Sequence, residues 1–195
     1  MSTPATTRER AKADRRSALL HAAAALFAAR GFERVSLEDL GAAAGISGPA
    51  VYRHFASKQA VLGALLIDVS RELVAGAEEV LVSATSADAA LRSLIAFHVE
   101  FALANPDVIV VQDRDLDSLL SADQDIVRSL QRGYIEAWVG ALGAIHPSTP
   151  VAELRIRARA TFGLINSTPH SARTSPKSSV RALLESMALA ALTSE

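Results

Sequence analysis

The sequence predicts an all-α protein of about nine helices, and three observations carry that expectation. Apolar residues recur at helical spacing along nearly the whole chain. Alternating β-branched runs bounded by turns are missing. The one strand-like run, "VIVVQ" at 108–112, follows the helix-start signal Asn105-Pro106-Asp107 and continues into "DRDLDSLL", so it reads as a buried helix. Half of the 195 residues are hydrophobic and 21% are charged, a balance that supports a large buried core in one large domain or two small ones.

The first helix is expected over 14–30, with Leu19, Ala22, Ala23, Leu26 and Phe27 as its buried stripe and Gly31 in the left-handed position just past its end. Ser36 caps the second helix. Asp39, three residues on, places a negative charge at its N-terminus, and Leu37, Leu40, Ala44 and Ile46 supply apolar contacts. Gly45 closes that helix. Ser47 then opens a very short third one, with Gly48 and Pro49 in a first turn where a missing N–H costs nothing. Ser57 caps a long fourth helix whose Val61, Leu62, Leu65, Leu66, Val69 and Leu73 form a continuous stripe. Further helices are expected over 86–104, 107–120, 121–145, 151–166 and 178–193, the one at 121 opened by a Ser121/Gln124 capping box. The last two are separated by the polar "STPHSARTSPKS".

Composition narrows the function classes. Cysteine is absent, which removes disulfides, thiolate nucleophiles and Cys-based zinc sites. The polar, basic start lacks the apolar run of an export signal, and no stretch approaches the roughly 18 to 20 apolar residues of a membrane span. A cytoplasmic protein with no membrane partner is the expectation. The net charge of −1 hides a division: residues 1–60 hold nine Lys and Arg against five Asp and Glu, while residues 61–195 hold eleven against sixteen. A basic front on an acidic body is expected where one end meets a polyanion.

Helices two and three, joined by Gly45-Ile46-Ser47, have the proportions of a helix-turn-helix. The segment "VSLEDLGAAAGISGPAVYRHFASKQAVLGALL" at 35–66, preceded by "ALLHAAAALFAARGF", resembles the DNA-binding domain of the TetR family of bacterial transcriptional regulators. Ser36, Ala44-Gly45, Ser47, Tyr52, His54-Phe55 and Ser57-Lys58 carry the likeness in order. It covers residues 14–66 closely, and the rest only in helix number, length and order.

The resemblance implies a flexible basic arm at 1–13, a three-helix helix-turn-helix DNA-binding domain at 14–59, and a helical ligand-binding and dimerisation domain at 60–195. It implies that Ser36, Tyr52, His54 and Lys58 meet DNA phosphates, that Ser47, Gly48, Pro49, Ala50 and Arg53 lie at or near base edges, and that Val51 and Phe55 pack inward. Gly48 stands where many members have a Lys or Arg, which shifts direct readout toward Arg53. His54 has the alternative of a buried, hydrogen-bonded histidine. Arg8, Arg10, Lys12, Arg15 and Arg16 either form a solvated arm or add phosphate and minor-groove contacts.

The implied partners are double-stranded DNA with a palindromic operator, a second copy of the chain, and a small-molecule effector, apolar or acyl-type from the Leu, Val and Ala content of the expected lining. His98, Gln112, Asp113, Tyr134, Trp138 and Asn166 are polar residues on otherwise apolar faces and form the candidate ligand set. Arg114, flanked by carboxylates in "QDRDLD", reads as ion-paired or as a ligand-anion partner. Small residues in the last two helices, Ala158, Ala160, Gly163, Ala182, Ala188 and Ala191, permit close approach within the subunit or across a dimer. No metal-binding or nucleotide-binding motif, and no G-x-S-x-G, is present, so neither an enzyme nor a cofactor is expected. Repression of a palindromic operator is the first reading. Activation stays open, as do an enzyme or a helical interaction module without a DNA role.

Overall fold

The computed structural model describes residues 7–171 and 175–194. Among them ten α-helical segments and two 3-10 turns occur, and no strand. The helices are α1 (Thr7–Arg30), α2 (Leu37–Ala43), α3 (Gly48–Val51), α4 (Lys58–Ser83), α5 (Ala87–Ala104), α6 (Pro106–Asp115), α7 (Ser121–Ile145), α8 (Val151–Ile165), α9 (Thr168–Ser171) and α10 (Lys177–Thr193), with 3-10 turns at Phe32–Arg34 and Leu116–Ser118. Nine correspond to expected helices; α9 is one extra turn inside the polar stretch before α10. No single helix among the described residues is long and apolar enough to cross a membrane.

Several boundaries differ from the expectation. α1 begins at Thr7, so residues 7–13 of the expected arm continue the helix; Glu9, Arg10, Ala11 and Lys12 are good helix formers. Residues 1–6 and the side chain of Arg8 lie outside the described residues. The buried face of α1 is also turned: Leu20 and Ala24 join Leu19, Ala23 and Phe27 inside, while Ala22 and Leu26 are only half-buried. The Ser121/Gln124 capping box does not form. Leu120 occupies the cap position, which puts Ser121 inside the first turn, and the Gln124 amide instead donates to Asp117 Oδ1 at 3.0 Å. α6 ends at Asp115 and passes into the Leu116–Ser118 turn.

Local rules hold elsewhere. Gly31 and Gly45 are the positive-φ residues, at 86° and 65°, conformations that favour glycine. The Ser57 and Ser86 hydroxyls accept from the Ala60 and Ala89 N–H groups, each at 3.1 Å, opening α4 and α5.

The apolar interior forms two clusters. The front one joins α1, α2, Val51 and Phe55 to the first half of α4, and also takes in Val108, Val111, Leu119 and Val127. The rear one joins α5, α7, α8 and α10 and includes Ile109 and Trp138. α6 therefore lends side chains to both, and the front core runs on past residue 59. Arg114 of α6 ties this arrangement to α1: its guanidinium is paired with Asp115 at 2.9 Å and donates to the carbonyls of Phe27 and Ala28, at the C-terminal end of α1. Cations favour that end of a helix because its last carbonyls lack intrahelical partners. The ion-paired reading of Arg114 is the one the structure bears out.

Within the front unit, α2 and α3 approach so closely that residue 41 has to be glycine. A Cβ at Gly41 would lie 2.7 Å from Val51 Cγ2 and 2.9 Å from the Ile46 carbonyl oxygen. Gly41→Ala is expected to push α3 off α2 and lower stability by about 1–3 kcal/mol, as overpacking does; denaturant unfolding of the variant beside the parent measures it, and an unchanged midpoint would sink the packing argument.

Candidate nucleic-acid interface and ligand cavity

α3 lies across α2 as a single turn. Val51 is fully buried and Phe55 nearly so, as expected, and they fix the helix from beneath. Ala50 departs from the expected base-edge set: it is only 8% exposed, because two successive side chains of this turn face the packed side. Ser47, Pro49, Tyr52 and Arg53 remain exposed. Ser47 opens α3 through its backbone, without a side-chain cap bond, and Gly48 and Pro49 form its first turn. Arg53 has no hydrogen-bond or ion-pair partner among the described residues, which leaves its five donors free.

Three expected phosphate contacts have partners of their own. The Ser36 hydroxyl accepts from the Asp39 N–H at 3.1 Å and donates to Asp39 Oδ2 at 2.7 Å; the same oxygen accepts from the Ser36 N–H. This reciprocal capping box holds the Asp39 carboxyl below its usual pKa and puts a carboxylate where the N-terminus of α2 would otherwise attract a phosphate. Tyr52, 54% exposed, donates its hydroxyl to Glu38 at 3.2 Å, and the Glu38 hydrogen bond and charge raise the phenol's pKa. The Lys58 ammonium donates to the Phe32 and Glu33 carbonyls at 2.8 and 3.2 Å and sits 4.3 Å from the centre of the Phe32 ring. That position closes the turn between α1 and α2 and commits much of the ammonium to the fold.

The basic character of the surface comes from α1 as well as α3. His54 is half-buried, and its pKa is lowered first by burial and then by Lys12, Arg15, Arg53 and Arg16. The charges of Lys12, from the helical continuation of α1, of Arg15 and Arg16 further along it, and of Arg53 past α3 therefore all act on one histidine. Arg16 is less free: it pairs with Asp68 of α4 at 2.6 Å and lies over the Phe55 ring.

In the body, His98, Tyr134, Asn166 and Gln112 converge on one cavity of about 190 Å³ between α4, α5, α6, α7 and α8. His98 Nε2 lies 3.1 Å from Asn166 Oδ1 and Nδ1 lies 3.1 Å from the Tyr134 oxygen. Since the amide oxygen only accepts, Nε2 carries the proton and the Tyr134 hydroxyl donates to Nδ1. Burial pushes the His98 pKa down to about 4 and that of Tyr134 upward, so both are neutral near pH 7. Trp138 is fully buried behind them, 6.0 Å from the His98 ring; its Nε1–H lies near the Tyr134 oxygen without a partner in bonding geometry. Asp113 is not part of the set: it is exposed, in a neighbouring groove with Arg114 and Asp117. Six lining residues were not in the expected set, Ser70, Leu73, Leu130, Gln131, Ile135 and Phe162. Phe162, stacked on Tyr134 at 5.5 Å, looks like any core aromatic, and Gln131 sits in a polar run.

The outer faces of α8 and α10 form a third surface. Ala158 and Ala188 are fully buried inside the subunit, so they do not serve a close approach between copies. Ala160, Gly163, Ala182 and Ala191 are exposed, and Ile156, Leu183 and Met187 stand 67%, 60% and 44% exposed beside them.

Residues 19–65, which hold the whole of α2 and α3, match the family described as bacterial regulatory proteins, tetR family. The HTH-type transcriptional repressor KstR2 of Rhodococcus jostii is 28% identical over 134 residues, 68% of this chain and 66% of its own length, just under two thirds of that protein. The HTH-type transcriptional activator FasR of Mycolicibacterium smegmatis is 32% identical over 88 residues, 45% of this chain and 40% of its own. The crystal structure of a TetR-family transcriptional regulator from Bordetella parapertussis superimposes with a TM-score of 0.82 at 25% identity, covering 91% of this chain and 94% of that one.

Two predictions follow from the geometry. Lys58→Met removes two charge-assisted bonds to carbonyls and should lower stability by about 1–3 kcal/mol before any DNA is present; a melting curve identical to the parent's would make Lys58 a surface group. His98 is neutral in the fold, with its pKa depressed from 6.5 to about 4, so the unfolded chain binds the proton more readily. Stability is therefore full above about pH 7 and falls as the pH drops from 6.5 toward 4, by about 2 kcal/mol at pH 5. Urea unfolding at both pH values checks this, the loss shrinking in His98→Gln.

Proposed function

Because the chain belongs to the TetR family of bacterial regulatory proteins, we propose that it is a cytoplasmic, homodimeric repressor that binds a palindromic operator and is released by a small molecule. The observation that carries the reading is the exposed, unpartnered Arg53 in the turn just past the one-turn helix α3, a segment pinned from below by Val51 and Phe55, with Lys12 and Arg15 of α1 near enough for their charges to act on the adjoining His54. A guanidinium so placed suits bidentate recognition of a base edge, and the flanking cations suit phosphates. Tyr52 turns from Glu38 to a phosphate on binding, and Ser36 and Lys58 contribute by holding α2 and its preceding turn in place.

The exposed apolar strip on α8 and α10 is the proposed dimer surface, since apolar side chains gathered at this density mark an interaction site. Two copies would set their α3 helices about one DNA turn apart, roughly 34 Å, over two half-sites. The cavity around His98 receives the effector. Repression is favoured over activation because the named repressor aligns over 68% of this chain, into the body, while the named activator aligns over 45%.

Fluorescence anisotropy with the DNA upstream of the protein's own gene tests the reading. Binding should weaken steeply with salt. Arg53→Ala should cost about 1–3 kcal/mol on that DNA and narrow its margin over unrelated duplexes. Absence of salt-dependent binding, or an Arg53→Ala protein with undiminished preference, would contradict it.

A further inference from the structure

The cavity in the body has a chemical character that its size and lining define. At about 190 Å³ it lies below the ~300–1,000 Å³ of sites for drug-sized ligands, and near the ~150 Å³ apolar cavity that accepts benzene. One or two rings fill it; a long acyl chain does not. Phe162, Tyr134 and His98 form an aromatic wall, with ring centres 4.9 Å apart for His98 and Phe162 and 5.5 Å for Tyr134 and Phe162.

The polar groups on that wall are all uncharged. His98 spends both ring nitrogens on Tyr134 and Asn166. The amides of Gln112 and Gln131, both half-buried, have no hydrogen-bond partner among the described residues, and the Asn166 amide nitrogen has none either. These amide groups reach solvent, so a ligand carbonyl or hydroxyl would exchange for water at donors that are free to bond. No Lys or Arg lines the cavity among the described residues. Arg114, in the adjoining groove, is taken by Asp115 and the α1 carbonyls, and that groove also carries Asp113 and Asp117. A carboxylate or phosphate in this cavity would lose water without meeting a cation, beside a groove that carries two carboxylates.

We infer that the cavity binds an uncharged, compact, ring-bearing group with a carbonyl or hydroxyl oxygen, in the chemical class of a ketone, alcohol or ester, and rejects the corresponding free acid. The ring lies against Phe162 and Tyr134. The oxygen accepts from the Asn166, Gln112 or Gln131 amide, or, as a hydroxyl, donates to the Tyr134 oxygen, whose own proton is committed to His98. The inference rests on the reading of this cavity as the effector site, but its test needs no DNA.

Trp138 is the chain's one tryptophan and packs against the His98 and Phe162 rings, so its emission reports on the cavity. Two probes of nearly the same shape separate the classes: 4-phenylbutan-2-one, a neutral ketone, and 3-phenylpropanoate, in which an anionic oxygen replaces the terminal methyl. At pH 7.5 the ketone should change Trp138 emission saturably and raise the melting temperature, and the acid should bind roughly tenfold or more weakly. Leu73→Phe, which fills the cavity from α4, should abolish the ketone response in a protein of unchanged helicity. Equal or tighter binding of the acid overturns the inference, as does a ketone response that survives Leu73→Phe, or the absence of any response to the ketone at millimolar concentration. Each of these outcomes leaves operator binding untouched, so the ligand class and the DNA-binding reading fail separately.

Discussion

The guanidinium of Arg114 joins the two halves of the molecule. It projects from α6, is aligned by the neighbouring Asp115 carboxylate, and closes the C-terminal carbonyls of α1 at Phe27 and Ala28. The Phe27 carbonyl also accepts from the Gly31 N–H at 2.8 Å, so the guanidinium adds a second bond there and one to the Ala28 carbonyl, which together hold α6 against the end of α1. Around it, α6 shares its side chains between two cores: Val108 and Val111 with the front, Ile109 with the rear. A displacement of α6 therefore reaches α1 directly, and Gln112 on the same helix lines the cavity. α6 thus touches both the front core and the cavity, as α4 does through Val61 and Leu62 in the front core and Ser70 and Leu73 at the cavity, and any coupling of cavity to helix-turn-helix would run through these helices. Coupling between sites needs such an element with contacts to both.

The front unit shows how little side-chain matter holds a reading helix. α3 is one turn long, too short to be stable alone, and depends on Val51 packed over the bare Gly41 backbone. Lys58 fixes the turn before α2, and the Ser36–Asp39 box fixes its first turn. The electrostatics are more mixed than a basic front suggests. Asp39 and Glu38 stand at the start of α2, while the cations collect around His54 from α1 and α3. The positive surface thus lies along α1 and α3, which directs DNA to that side.

Local chemistry was legible in the sequence where one residue type answers one backbone need. Ser36 and Ser57 cap helices, Gly31 and Gly45 take positive φ, and Val51 and Phe55 pack inward, each as its spacing implied. What depends on a distant neighbour was not. Nothing about "DLGAAAG" says that Gly41 faces Val51, and nothing about Lys58 says that its ammonium finds the carbonyls of Phe32 and Glu33, 26 and 25 residues earlier. The stripe on α1 turned toward Leu20 and Ala24 because α1 also packs against α6. Ser121 lost its cap role because the helix started one residue sooner. In the cavity, His98, Tyr134, Asn166 and Gln112 stood out as polar groups in apolar runs. Asp113 shared that pattern but points 100° away from Gln112 around the helix, into the neighbouring groove.

A link between the cavity and the DNA-reading surface through the Arg114 junction can be tested directly. Linkage is reciprocal, so DNA must change the affinity of the cavity by the factor by which its ligand changes the affinity for DNA. The direct measurement is a titration of 4-phenylbutan-2-one, read by Trp138 emission, with and without saturating duplex from the protein's upstream region, in the parent and in Arg114→Gln. Ketone binding should be weaker in the presence of DNA for the parent, and the difference should largely disappear in Arg114→Gln while both proteins still bind each partner alone. An effect of DNA that is equal in the two proteins would contradict it.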